Sequence, residues 1–270
     1  MSTKALANLM LIAAASAAAP HALAAAGCSA ESPAHTVALV ELYTSEGCSS
    51  CPPADRWLST LPGGLGGDRL VALALHVDYW DYIGWQDPYA QARFTTRQRR
   101  LGQLSGSRSI YTPEVFVGMR ELRGWHNGST FARRVQAVEV SFDHSSLEAI
   151  ALGMRVAEGG EVEIEARFTL PAGQSAAALQ GVLVLYEDKL VSEVRRGENA
   201  GVSLRHDRVV RRWLPRTLAT GAEAQVLRET FALPGGWNPV NLGAAAFVED
   251  VNSGEELQAL ALPGCLATGG

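Results

Sequence analysis

The chain has 270 residues, 47% hydrophobic and 19% charged, with a formal net charge of −5. That is the composition of globular protein, not disordered chain, and it suits one large domain or two modest ones. A mild negative balance excludes a general attraction to nucleic acid or anionic lipid.

Residues 1–26 hold one early cation, Lys4, then the apolar run "ALANLMLIAAASAAA". With small residues at Ala22 and Ala24, or at Ala24 and Ala26, this reads as a secretory signal and is set apart from the fold. A retained N-terminal anchor is the alternative. "AAGC", Ala25 to Cys28, also looks like a weak lipoprotein site with Cys28 as acceptor. No later stretch is apolar enough to span a bilayer. The mature chain is therefore expected in the periplasm or outside the cell, with no transmembrane segment.

"TVALVELY" (Thr36 to Tyr43) is an apolar run bounded by turn formers and predicts a buried strand. "CPPADRWLSTL" predicts a short helix: Asp55 falls in its first turn, and Trp57, Leu58 and Leu61 recur at helical spacing. The glycines of "PGGLGGD" end it. Arg69 to Asp78 is a second apolar strand, followed by the aromatic loop "YWDYIGWQD". Pro88 opens a helical stretch. Glu114 to Val117 is a third strand, "RELRGW" its hairpin partner, and "FARRVQAV" a helix capped by Ser129 or Thr130. This is an α/β layout with a mixed sheet. Two apolar strands joined through a helix argue for a parallel pair covered on both faces.

The style changes after about Ser145. In "EVEIEARFTL", Val162, Ile164, Ala166 and Phe168 face one way, and Glu163, Glu165 and Arg167 face the other. "GVLVLYED", "RVVRRWL", "VLRETFAL" and "GAAAFVEDV" are further strand candidates, which together suggest an all-β sandwich. The expected organisation is a signal over 1–26, an α/β domain over 27–145 and a β-sandwich-like domain over 146–270.

The four cysteines fit an exported protein with disulfides. Cys48 and Cys51 group by spacing, which leaves Cys28 and Cys265 at the two ends of the mature chain. A bond between those two is the favoured pairing and would contribute at most about 5 kcal/mol in the chain-entropy model. A free Cys265 or a lipidated Cys28 is the alternative.

Two cysteines two residues apart at a helix start can attack and resolve a disulfide in turn. The free N–H groups there stabilise a thiolate. Cys48 is expected to be the exposed nucleophile and Cys51 the buried resolving thiol. With Ser50 as cap, Pro52 and Pro53 cost the helix little. Structural zinc would need a second closely spaced Cys or His pair, which the chain lacks. Two readings stay beside the redox one: Cu(I) held by the two thiolates, with His76 as a candidate further ligand, and a purely structural disulfide.

The order strand, "CSSC", helix, strand, helix, "TP", hairpin, helix resembles the thioredoxin superfamily. "ELYTSEGCSSCPPAD", "ALHVDYWDYIGWQDP" and "YTPEVFV", over residues 36–140, resemble a secreted bacterial thioredoxin-like family of unknown function. The resemblance implies a thioredoxin-like fold for the first domain. It also implies a cis-proline at Thr112-Pro113 facing the cysteine pair and shaping a substrate cleft. His76 and Asp78 then end a strand on the cleft side, either as a proton relay or ligand beside Cys48 or as a histidine bonded to Asp78 or to backbone. Trp80, with Tyr79, Tyr82 and Trp85, forms a partner platform or packs beneath its loop. The chain departs from thioredoxin in having Gly47 before the first cysteine. Leu42, with Glu41 beside it, stands where thioredoxin has a buried carboxylate.

"RQRR", Arg97 to Arg100, reads as a solvated helix face. Arg195, Arg196, Arg205, Arg208, Arg211 and Arg212 either form an anion-docking surface or alternate along a half-exposed strand. His206 by itself supports nothing. The expected function is an exported thiol–disulfide oxidoreductase using Cys48 and Cys51 on protein or small thiol substrates. Its partner would be a thiol or disulfide protein, with no cofactor and no nucleic acid. A Cu(I)-binding or non-catalytic binding module is the alternative.

Overall fold

The computed structural model describes residues 27–64, 68–140, 149–157, 160–170, 178–219 and 223–266. The signal and the boundary expected near residue 145 lie outside the described residues.

Fourteen strands and three α-helices are described. The strands are β1 (Gly27–Glu31), β2 (Ala38–Thr44), β3 (Leu70–His76), β4 (Glu114–Val117), β5 (Arg120–Glu121), β6 (Ala149–Val156), β7 (Val162–Thr169), β8 (Leu179–Glu187), β9 (Leu190–Glu193), β10 (Ser203–His206), β11 (Val209–Thr217), β12 (Gln225–Phe231), β13 (Leu242–Asp250) and β14 (Glu255–Leu262). The helices are α1 (Pro52–Gly64), α2 (Ala92–Leu104) and α3 (Gly128–Val140).

α1 begins with two prolines because the first N–H groups of a helix need no intrahelical partner. The Cys51 carbonyl accepts the first bonds, from the Ala54 and Asp55 amides. α3 is capped by neither Ser129 nor Thr130. The Asn127 side chain accepts from the Thr130 N–H at 3.0 Å. α2 starts at Ala92, four positions after Pro88, with Gln91 extended before it.

The expected fold class is not observed. The molecule is mostly β, and its main sheet does not stop where an α/β domain was expected to end. Eight strands run in the order β14-β13-β8-β11-β3-β2-β4-β5. β2 and β3 are parallel, as expected. β3 then pairs in parallel with β11 at Ala74 and Val209, and the Ala74 N–H donates to the Arg208 carbonyl at 2.8 Å. β8, β13 and β14 extend the same sheet with antiparallel pairing. β8 and β13 are therefore central strands covered on both faces. Val182, Val184 and Tyr186 pack one way, and Leu183 and Leu185 the other.

Three cores follow from this sheet. On one face α2 lays Phe94 and Leu101 against Leu39, Tyr43, Leu73 and Phe247. On the other face, α1 and α3 cover β2, β3 and β4 through Leu58, Leu61, Phe131 and Val135. Beside them, a second sheet in the order β1-β6-β7-β12 covers β8, β13 and β14 through Leu152, Ile164 and Phe168.

"RQRR" is not a solvated face. Arg97 and Gln98 are buried. Arg97 donates to Glu41 on β2 at 2.6 Å and to Glu249 on β13 at 3.0 Å. It also lies 4.9 Å from the Trp213 ring centroid. A charge turns inward here because the sheet presents buried carboxylates to it.

Candidate functional site

β2 delivers the chain to the cysteine pair. The strand ends at Thr44, Glu46 and Gly47 turn the chain, and Gly47 makes room for the turn. A Cβ on Gly47 would lie 3.0 Å from the Trp80 Cβ. Cys48 and Cys51 are joined by a disulfide, with Cα atoms 5.4 Å apart, immediately before α1. The amides at a helix start favour negative charge, so the location suits a thiolate once the bond is reduced.

Thr112-Pro113 is a cis peptide. The Ser50 hydroxyl lies 3.3 Å from Cys48 Sγ and reaches the Thr112 carbonyl at 3.5 Å. Trp80 Nε1 donates to Thr112 Oγ1 at 2.7 Å. Thr112, Pro113 and Trp80 therefore gather around the pair. Cys48, expected to be exposed, is 1% exposed, and Cys51 is 0% exposed. Only Ser49 and Ser50 of "CSSC" face solvent.

A buried ionisable cluster lies behind the pair. The Glu46 carboxylate accepts from Trp85 Nε1 at 2.8 Å and from His206 Nε2 at 3.2 Å. Asp87 accepts from the Glu46 amide at 2.9 Å and from His76 Nδ1 at 2.7 Å. Asp55, one turn after Cys51, accepts from the Thr44 hydroxyl at 2.8 Å and lies 3.8 Å from His206 Nδ1. The His76 and His206 rings meet edge to face with centroids 5.0 Å apart. Tyr89 stands over both.

Burial pushes the Asp55 carboxyl up, against the pull of His206 and His76. Burial also works to raise Asp87 and to lower His76. The attraction and hydrogen bond between them outweigh it, so Asp87 sits below the usual carboxylate range and His76 above the usual histidine value.

The pair has a signed pH consequence. A histidine whose pKa is higher folded than unfolded stabilises fully below its unfolded value of about 6.5. That stability is lost as the pH rises through the elevated folded value. In urea unfolding, the gap between wild type and His76→Asn should be wide near pH 6 and narrower near pH 9. A gap that widens with pH would show that His76 is neutral in the folded protein.

The second half of the chain completes the site. Asn199 Nδ2 donates to the carbonyls of Glu46 and Cys48 at 2.8 and 3.1 Å. Glu198 Oε2 accepts from both the amide and the hydroxyl of Ser49, at 3.0 and 2.7 Å. β10 supplies His206, and β9 supplies Ser192, whose hydroxyl lies 3.2 Å from that of Tyr89.

A family profile described as "Protein of unknown function (DUF1223)" matches residues 39–249. The chain belongs to the DUF1223 family. Its description names no activity. Among solved structures, protein AGR_C_4864 of Agrobacterium tumefaciens is similar, with a TM-score of 0.56 and 26% identity, over 85% of this chain and 95% of that one. HBP35 of Porphyromonas gingivalis gives a TM-score of 0.60 at 15% identity over 86% and 76% of the two chains, a likeness of fold alone. No curated protein shows significant similarity to the chain. None of these likenesses carries a thioredoxin relationship.

Within this DUF1223 chain the expected site residues separate into two sets. Cys48, Cys51, Thr112, Pro113 and Trp80 come together. His76 joins them only from beneath, fully buried and bonded to Asp87, not Asp78. Asp78 instead accepts from the Thr95 hydroxyl. Glu41, beside the position of the thioredoxin carboxylate, faces away to Arg97, and Leu42 is core under α1.

Of the loop aromatics, Trp80 and Trp85 are tied inward and Tyr82 is 83% exposed. Cys28 and Cys265 are joined by the other disulfide, with Cα atoms 6.2 Å apart. Glu46, Asp55, Asp87, Glu198, Asn199 and His206 were not expected at the site. For His206 a signal existed: it follows Leu204 by two in a short strand, which puts both on one buried face. Among the described residues, no group of three or more His, Cys, Asp or Glu is arranged to hold a metal ion. No described helix is long and apolar enough to cross a membrane.

Proposed function

We propose that the DUF1223 chain is an exported thiol–disulfide oxidoreductase whose working pair is Cys48 and Cys51. One observation carries the reading: a disulfide three positions long is backed by five buried ionisable side chains, Glu46, Asp55, His76, Asp87 and His206. As a staple the bond is weak, since so short a loop is worth about 2 kcal/mol in the chain-entropy model. Burying that many ionisable groups is costly unless they are paired, and such clusters concentrate at functional sites. Asp55, with its raised pKa one helical turn after Cys51, is suited to accept and return a proton as the pair opens and closes.

In the reduced state the Cys48 thiolate attacks a partner disulfide and expels one thiolate. Cys51 then gives up its proton and displaces the second. Two electrons pass from the dithiol to the partner, and the reverse sequence oxidises a partner dithiol. The two disulfides suit an oxidising compartment, which supports the periplasm or the cell exterior as the place of action.

The test is the reduction potential of the 48–51 pair, by equilibration with glutathione and mass-labelling of free thiols. A value between about −270 and −120 mV marks a redox catalyst, and one below about −300 mV marks a staple and ends this reading. Alongside it, Cys48→Ser should abolish exchange with a scrambled-disulfide substrate, and Cys51→Ser should accumulate mixed disulfides.

A further inference from the structure

Resting on the thiol–disulfide reading, we infer that Glu198 is an internal stand-in for an anionic group of the substrate, and that the pair selects disulfides carrying a carboxylate that can reach Ser49. Ser49 is the residue next to Cys48, and its amide and hydroxyl converge on a single oxygen of Glu198. No cation pairs with that carboxylate among the described residues. The two Ser49 bonds hold Glu198 below the usual carboxylate range, so it is charged.

Glu198 comes from a turn closed on itself: the Val194 amide donates to the Val202 carbonyl at 3.0 Å and the Gly201 amide to the Val194 carbonyl at 2.8 Å. Asn199, buried beneath, anchors the turn to the carbonyls of Glu46 and Cys48. Glu198 itself is exposed. Exchanging its carboxylate for another therefore costs little desolvation.

Arg195 and Arg196 precede it on the same turn, exposed and without an ion-pair partner among the described residues. Arg208, Arg211 and Arg212, by contrast, are engaged with Asp188, with Glu187 and with the Phe231 ring. The amide and hydroxyl of Ser49, the residue next to Cys48, form a two-donor seat for an anion, and the chain's own carboxylate fills it.

The chemical step is the one given above. The Cys48 thiolate forms a bond to one sulfur of R–S–S–R and expels RS⁻. Deprotonated Cys51 displaces the second RS⁻ as the 48–51 bond forms. The two protons lost by the cysteines are taken up by the two leaving thiolates, and the substrate disulfide is the oxidant. A carboxylate on R, seated on Ser49, holds the reacting sulfur against Cys48.

The experiment follows reoxidation of the reduced full chain by oxidised glutathione (anionic), cystamine (cationic) and 2-hydroxyethyl disulfide (neutral), for wild type, Glu198→Ala and Glu198→Ala/Ser49→Ala. Glu198→Ala vacates the donors and removes a repelling charge. It should speed the reaction with oxidised glutathione about tenfold relative to the neutral disulfide, with no gain for cystamine. The double variant should lose much of that gain. An equal change with all three disulfides would show Glu198 to be only a cover, and no change at all would show it to be neither; both overturn the inference while leaving the redox reading standing. No reaction of the wild type even with 2-hydroxyethyl disulfide would overturn the redox reading, and this inference with it.

Discussion

Arg97→Ala is expected to lower the stability of the chain by about 3–5 kcal/mol, the cost of leaving buried charges without their partner. Arg97 reaches Glu41 through two nitrogens, at 2.6 and 3.2 Å, and Glu249 through a third at 3.0 Å. Both carboxylates are 1% exposed. Arg100 would still hold Glu249, at 2.7 Å, but the buried Glu41 has no second cation bonded to it among the described residues. The guanidinium also packs against both the Trp213 and Phe247 rings, so its loss removes packing as well as charge. Urea midpoints measure the effect. Arg97→Met combined with Glu41→Gln should recover a good part of the loss, because it removes the stranded charge and refills the space. A single-variant cost below about 1 kcal/mol would mean that water reaches these carboxylates.

The two disulfides should behave oppositely when removed. Cys28→Ser/Cys265→Ser opens a loop spanning a separation of 237 residues and is expected to cost about 2–5 kcal/mol. Cys48→Ser/Cys51→Ser opens a separation of 3 and should cost under about 2 kcal/mol by the same loop argument, while exchange activity disappears. Thermal or denaturant unfolding of the two double variants, with a parallel turnover assay, reads both quantities. If the short bond proves as costly to stability as the long one, it is a staple and the redox assignment loses its main support.

Most of the individual strands were legible because each is an apolar run or a clean alternation between turn formers. Their assembly was not. A strand buried on both faces, such as β8 or β13, has the same sequence pattern whichever sheet it joins, and the seam with β3 rests on one paired position, Ala74 with Val209. β14 was missed altogether, since "EELQALAL" opens on two charges and alternates with small residues.

At the site, spacing alone exposed Cys48 and Cys51, and the resemblance pointed to Thr112-Pro113 and Trp80. The partners that give the pair its surroundings come from far along the chain. Asn199 and His206 meet Glu46 across separations of 153 and 160 residues, which no local pattern encodes. The Arg97 error has the same origin: a cluster of arginines reads as solvated until a distant glutamate, here Glu249, is known to face it.

The interleaving of the main sheet also constrains how the protein is made. The Val37 and Leu39 amides, just before and within the second strand to emerge, donate to Gln258 and Glu256 near the end of the chain, at 2.8 and 2.7 Å. A nascent chain therefore cannot complete the main sheet until β14 is available. Contacts of such long sequence separation are slow to form, and until then the apolar strands β2 and β3 remain open to aggregation or to chaperones. The segment bearing the cysteines is thus not a cassette that can be excised and fused elsewhere. A shortened chain ending near residue 140 should carry both thiols and yet lack a folded centre around them.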